Sequence, residues 1–185
     1  MNSPLSPSEK KPTSEKNSNN SQSNDDIILR QPGTEDGFAI FKLIQQSPPL
    51  DLNSCYSYLL LCTHWRDTCV VATHKGKIAG FISAYIPPNQ PDTLFVWQVA
   101  VDKEQRGKGL AMKMLENLLN REKTTNISYM ETTITPDNSA SHSLFKRFSD
   151  THHAPLNIGM GYSAEDFGDS DHLPELLYRI GPIER

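Results

Sequence analysis

The residues with the clearest chemical use lie between Val99 and Ala111, in the stretch Val-Ala-Val-Asp-Lys-Glu-Gln-Arg-Gly-Lys-Gly-Leu-Ala. A hydrophobic run from Leu94 to Val101 reads as a buried strand. It breaks at Asp102-Lys103-Glu104, and Leu110, Met114, Leu115, Leu118 and Leu119 then recur as one helical face out to about Asn120. A strand, a glycine-rich turn and a helix start together build an anion site. The first turn of a helix has unpaired N–H groups and the positive end of the helix dipole. Gly107 and Gly109 lack Cβ atoms, so a pyrophosphate can approach those N–H groups, and Arg106 and Lys108 add positive charge. The same glycines would also serve an ordinary strand–turn–helix that needs only tight packing.

Three phosphate-binding patterns are distinguishable here. A P-loop requires Gly-Lys followed by Ser or Thr, whereas Gly109 is followed by Leu110. A dinucleotide fingerprint requires Gly-x-Gly-x-x-Gly, and position 112 is Met. The pattern Gln/Arg-x-x-Gly-x-Gly/Ala is met within Gln105–Ala111, with Arg106-Gly107-Lys108-Gly109 carrying the match.

The elements that must hold this stretch can be read around it. Residues 1–26 are polar, with only Met1 and Leu5 apolar, and form an expected disordered tail; residues 27–185 form the expected domain. Ile27–Gln31 is a short strand. Thr34 is positioned to cap a helix bearing Phe38, Ile40, Phe41, Leu43 and Ile44, which Pro48-Pro49 stops. Asn53 or Ser54 caps a second helix running to about Trp65. Thr68–Thr73 and Ile78–Ile86 form a hairpin around His74–Lys77, and Thr93–Asp102 is the central strand. Ile127–Thr135 is the next strand. Asn138 opens a helix with Ala140, Leu144, Phe145 and Phe148 inward, and Leu156–Met160 and Leu176–Ile180 read as strands. Glu165–Asp171 reads as a solvated acidic loop. The order βααβββαβαβ(β) predicts an α/β layout on one mixed sheet.

Composition bounds the function. The 185 residues are 36% hydrophobic and 22% charged with a net charge of −4, which argues against a nucleic-acid partner or an anionic membrane. No run of about 18 apolar residues predicts a membrane span, and no apolar segment near Met1 reads as a secretory signal. Cys55, Cys62 and Cys69 recur every seven residues without a CxxC pair. They read as small buried residues in a reducing cytoplasm, with no metal site expected.

The Val99–Ala111 stretch, with the strand before it and the Asn138 segment after it, resembles the GCN5-related N-acetyltransferase (GNAT) superfamily. The resemblance implies a single α/β domain. Its mixed, mostly antiparallel sheet would splay between the fourth and fifth strands, flanked by about four helices. It implies acetyl-CoA as cosubstrate. The pyrophosphate would lie on Arg106, Gly107, Lys108, Gly109, Leu110 and Ala111, and the pantetheine arm beside the backbone of Val99, Ala100 and Val101. Asn138 would contact the pantetheine, with Ser141 one turn on. Superfamily members usually carry a tyrosine acid in the segment that here reads Leu144-Phe145-Lys146-Arg147-Phe148. With Phe145 at that coenzyme-side position, the thiolate leaves unaided, or Tyr129, Tyr56 or a histidine serves, or the chain is a non-catalytic acetyl-CoA sensor. Dimers are common in the superfamily, so a homodimer is expected.

Acetyl transfer to an amine requires loss of an ammonium proton and a donor for the developing oxyanion. The resemblance points to the Val99 N–H as that donor. Glu131 is the expected base, desolvated by Tyr129, Met130 and Trp97; its alternative role is to pair with the substrate ammonium. The resemblance also puts the acceptor wall after Pro49, where Asp51, Asn53, Ser54, Tyr56 and Tyr58 cluster, facing Trp97 and Glu131. Carboxylates and aromatic rings suit a small substrate with two ammonium groups. The strings Pro48–Cys62, Phe95–Val101 and Glu131–Asn138 are similar, more narrowly, to the branch that acetylates the 4-amino group of L-2,4-diaminobutyrate in ectoine biosynthesis. A polyamine, aminoglycoside or peptide amine is the alternative acceptor.

Overall fold

Hydrophobic runs become strands and helical stripes become helices in the order β1 (Ile27–Arg30), α1 (Gly37–Gln45), α2 (Cys55–Thr63), β2 (Val70–His74), β3 (Lys77–Tyr85), β4 (Thr93–Val101), α3 (Leu110–Leu119), β5 (Tyr129–Ile134), α4 (Ser139–Thr151), β6 (Leu156–Tyr162) and β7 (Glu175–Ile180). The structure is a computed structural model and describes Met1 and residues 27–168 and 172–184. Apart from Met1 the expected tail lies outside the described residues, as do positions 169–171 of the expected acidic loop.

The seven strands form one sheet in the order β1-β2-β3-β4-β5-β7-β6. Neighbours are antiparallel except β4 and β5, which α3 connects as a parallel crossover. That parallel pairing is short, running only from Thr93↔Tyr129 to Phe95↔Glu131. Beyond Phe95 the two strands part, which is the expected splay, and the β5-side backbone of Val99–Val101 is left without a strand partner among the described residues. On the other side β4 stays paired with β3, but Ala84↔Val96 is followed by Ser83↔Gln98, so Trp97 is an extra residue. Such a bulge reverses the inward–outward alternation. Before it Leu94 and Val96 face the core under α3 and α4; after it Val99 and Val101 do, while Ala100 packs under α1 and α2. The Gln98 N–H, displaced from the ladder, donates to Ser83 Oγ at 3.1 Å.

Several local expectations are corrected. Thr34 does not cap α1: it begins a short 3-10 turn, Thr34–Asp36, whose start at Gly33 is closed by the Asp36 carboxylate, and α1 itself has no side-chain cap. Asp36 accepts from the Gly33 N–H at 2.8 Å and from both Arg30 terminal nitrogens at 2.6 and 2.8 Å. The Arg30 hydrogen bond holds the buried Asp36 carboxyl below the usual carboxylate range. Phe38 is exposed, and the buried stripe of α1 is Ile40, Leu43 and Ile44. Ser54 rather than Asn53 caps α2, which ends at Thr63. Asp102 leaves the strand to accept from the Glu104 N–H. The β2–β3 turn is Lys75-Gly76, both at positive φ as a two-residue hairpin requires. Cys62 and Cys69 are buried as expected, and burial pushes both thiols up to about 12, which leaves them unreactive at neutral pH.

Candidate active site

Two cavities flank the splay. The first, about 420 Å³, lies between α3 and α4 and is bordered by Val99, Ala100, Val101, Gln105, Arg106, Gly107, Gly109, Leu110 and Ala111. Its floor follows from the turn expected in the sequence. Gly107 and Gly109 adopt φ of 74° and 76°, a left-handed conformation that side chains disfavour, and a Cβ on either would meet nothing within 4 Å. Gly109 is the N-cap of α3 and supplies no side-chain cap, so the first-turn N–H groups lack an internal acceptor. Arg106 borders the cavity, its Nε donating to Val101 O at 2.9 Å. Lys108 does not border it; its Nζ donates to Gln105 Oε1 at 3.1 Å. Ala140, expected inward, is exposed at this cavity's wall, whereas Phe145 and Phe148 are buried.

The second cavity, about 590 Å³, opens on the opposite side and is bordered by Asp51, Tyr85, Phe95, Trp97, Gln98, Thr133, Asp137, Tyr162, His172 and Glu175 among others. Both cavities share Pro49, Leu50, Val99, Asn138 and Ser141, so they meet through the gap between β4 and β5. Asn138 stands at that junction and also caps α4, its Oδ1 accepting from the Ser141 N–H at 3.1 Å. Phe145, buried in α4, borders the second cavity. The cavities differ in charge. The charged side chains of the first are Arg106 and Arg147, and the carboxylates of the second are Asp51, Asp137 and Glu175, with no Lys or Arg.

Asp51 is held by its backbone. Gln98, turned under the α1–α2 side by the bulge, donates from Nε2 to Asp51 O at 2.7 Å and accepts from the Tyr58 hydroxyl at 3.3 Å. Tyr58 is therefore a buried anchor of the loop, and its hydroxyl also accepts from the Asn53 N–H. Asn53, Ser54 and Tyr56 do not border either cavity: Ser54 is spent on the Ser57 N–H, and the Tyr56 ring is 67% exposed. Glu131 and Tyr129 are not brought to the cavity wall. Glu131, 7% exposed, forms an ion pair with Arg179, its register partner on β7, and the Arg179 guanidinium lies 3.9 Å from the Tyr129 ring centre. Arg179 also reaches Gln90 Oε1 at 3.4 Å. The sequence reading did not single out Tyr85, Gln98, Thr133, Asp137, Tyr162 or Glu175. Only the period-two face shared by Glu131 and Thr133 offered a local signal for any of them. Burial raises the Tyr85 phenol above its ordinary value, keeping it protonated at neutral pH.

A splayed parallel pair, a glycine turn at a helix start and two cavities meeting through the splay define an acyl-transfer scaffold for a phosphorylated carrier. The chain belongs to the acetyltransferase (GNAT) family, whose model matches residues 38–149. Within that family the similarity narrows to one group. L-2,4-diaminobutyric acid acetyltransferase of Halomonas elongata is 47% identical over 159 residues, 85% of this chain and 82% of the relative. The enzyme of the same name from Chromohalobacter salexigens is 50% identical over the same shares. Among solved structures, the diaminobutyrate acetyltransferase EctA of Paenibacillus lautus, in complex with its substrate L-2,4-diaminobutyric acid and coenzyme A, is similar with a TM-score of 0.84. It is 41% identical, and the match covers 87% of this chain and 98% of that one.

Proposed function

We propose that this chain transfers the acetyl group of acetyl-CoA to the 4-amino group of L-2,4-diaminobutyrate, giving N4-acetyl-L-2,4-diaminobutyrate, a step of ectoine biosynthesis. The observation that carries the reading is the meeting of two oppositely charged cavities at Val99, Asn138 and Ser141. A polyphosphate carrier suits the arginine side, and a substrate with two ammonium groups suits the side of Asp51, Asp137 and Glu175. The similarity to the substrate-bound Paenibacillus lautus enzyme supports the choice of acceptor.

In this reading the pantetheine arm lies along the β5-side backbone of Val99, Ala100 and Val101, and the pyrophosphate meets Gly107, Gly109 and the first turn of α3. Leu110 and Ala111 form the floor, and Asn138 and Ser141 hold the arm at the junction. The Val99 N–H donates to the oxyanion that forms as the amine attacks. Asp51 takes an ammonium group, and Trp97 shapes the pocket. Glu131 receives the amine proton through water, since Arg179 occupies its Oε1. The Phe145 ring offers no proton, and a thiol with a pKa near the cysteine value of about 8.5 leaves as thiolate without one. The working unit is a homodimer in the cytoplasm. Its support is the uncharged outer strand β6, with Ile158 and Met160 exposed.

A thiol-release assay with diaminobutyrate, ornithine, lysine and spermidine tests the reading, with NMR of the product. Diaminobutyrate is expected to give a kcat/KM at least about tenfold above the others, a difference of about 1.4 kcal/mol, and the N4 isomer. Preference for spermidine would make this an acetyltransferase of another amine. Coenzyme binding without thiol release would make it a sensor.

A further inference from the structure

Arg147 has so far counted only toward the charge of the coenzyme cavity it borders, with no contact assigned to it. It ends a stripe along α4, Ala140, Ser143, Leu144 and Arg147, spaced i, i+3, i+4 and i+7, so one helix face forms that wall. The stripe has a direction. Its start lies beside Asn138 and Ser141, which border both cavities and therefore mark the end where acetyl group and amine meet. Arg147 lies seven residues on from Ala140, about 10 Å along the helix axis. On the facing wall the α3 N-terminus and Arg106 already serve the pyrophosphate. A coenzyme laid with its thioester at the junction and its pyrophosphate on that turn has only its nucleotide left to place.

The guanidinium is available for it. Arg147 is exposed and makes no ion pair among the described residues, whereas its neighbour Lys146 is paired with Asp150 at 3.2 Å. Ser143, one turn earlier, donates its hydroxyl proton to Ser139 O at 2.8 Å and so has no donor left for a ligand. A planar guanidinium matches the oxygens of a phosphate monoester in a bidentate pair. We infer that Arg147 binds the 3′-phosphate of the coenzyme's ribose, making this chain selective for the 3′-phosphorylated nucleotide. The inference rests on the acetyl-CoA reading above.

Equilibrium binding of coenzyme A and 3′-dephospho-coenzyme A tests it independently of turnover. The wild-type chain is expected to bind coenzyme A about tenfold more tightly than the dephospho form, the effect of one charge-assisted pair at a partly exposed site. Arg147→Met removes that preference by weakening coenzyme A alone, leaving the dephospho form within about twofold. Arg147→Lys restores part of it, and Lys146→Met keeps it whole. Equal weakening of both ligands in Arg147→Met would move the residue to the pyrophosphate. A preference that survives Arg147→Met, or a wild-type chain with none, would overturn the assignment. If neither ligand binds any of these proteins, the assignment falls together with the acetyl-CoA reading.

Discussion

At the scale of single residues, the site depends on atoms that are absent as much as on those present. Gly109 sits at φ 76° in front of α3, and the space a Cβ would enter is open. Gly109→Val puts a branched side chain there in a disfavoured conformation. The acetyl-CoA KM is expected to rise at least about tenfold, corresponding to about 1.4 kcal/mol, while circular dichroism stays native. A normal KM in a folded variant would move the phosphate site elsewhere. Asp51→Asn keeps the Gln98 bond, which uses the backbone oxygen, and removes only the charge. Its effect is expected in the diaminobutyrate KM with kcat little changed. Glu131→Gln keeps size and polarity but cannot accept a proton, so kcat should fall by about 10²-fold or more. A kcat within about twofold of wild type would reduce the Glu131–Arg179 pair to a strut of the sheet, with the proton passing to solvent.

At the scale of elements, the position of Asp51 depends on a bulge that its own loop does not contain. Trp97 adds one residue to β4, and Gln98 is thereby turned to hold the loop. Hydrophobic runs and helical stripes made each strand and helix legible, and the glycine turn with Asn138 made the lining of the first cavity legible. The bulge was not, because Leu94–Val101 is apolar on both parities and alternation carries no sign of a slip. Arg179, Tyr162 and Glu175 were not legible either: Arg179 meets Glu131, 48 positions away, only through the β5–β7 register, and Tyr162 meets Glu175 only through the pairing of β6 with β7. The Thr34 cap failed because Thr34 is taken into a 3-10 turn ahead of α1, which the Asp36 carboxylate closes at the Gly33 N–H with Arg30 beside it. That carboxyl also predicts a pH effect. Its folded pKa is lowered by Arg30, so its contribution is complete above the unfolded carboxylate value near 4 and is lost as pH falls through the lower folded one. Asp36→Asn should cost about 1–3 kcal/mol at neutral pH and flatten this part of the acid unfolding curve. Denaturant titrations at pH 7 and pH 3 measure both, and an equal loss at the two pH values would assign the effect to packing.

At the scale of the whole molecule, the sheet ends differently at its two sides. β1 is four residues long with Arg30 at its end, whereas β6 runs for seven residues, Leu156–Tyr162, without a charge or a proline. Soluble proteins usually blunt such an edge with charge, proline or short length. Here Ile158 and Met160 are 53% and 67% exposed. An edge of this kind suits a second copy related by a twofold axis, because antiparallel pairing of β6 with itself satisfies the outer backbone groups and brings no like charges together. The polar segment 1–26, apolar only at Met1 and Leu5, is a poor match for the same surface. A dimer is therefore expected in sedimentation equilibrium, and the pair Ile158→Lys with Met160→Lys should shift it to monomer. The hairpin that begins with β6 also carries Tyr162, Phe167 and His172 to the second cavity, the acceptor side of the proposed function. Loss of the dimer should accordingly raise the diaminobutyrate KM and leave coenzyme A binding, on the α3–α4 side, within about twofold, less than 0.5 kcal/mol. A double variant that stays dimeric would place the interface on another face, and a wild-type chain that sediments as a monomer would remove it.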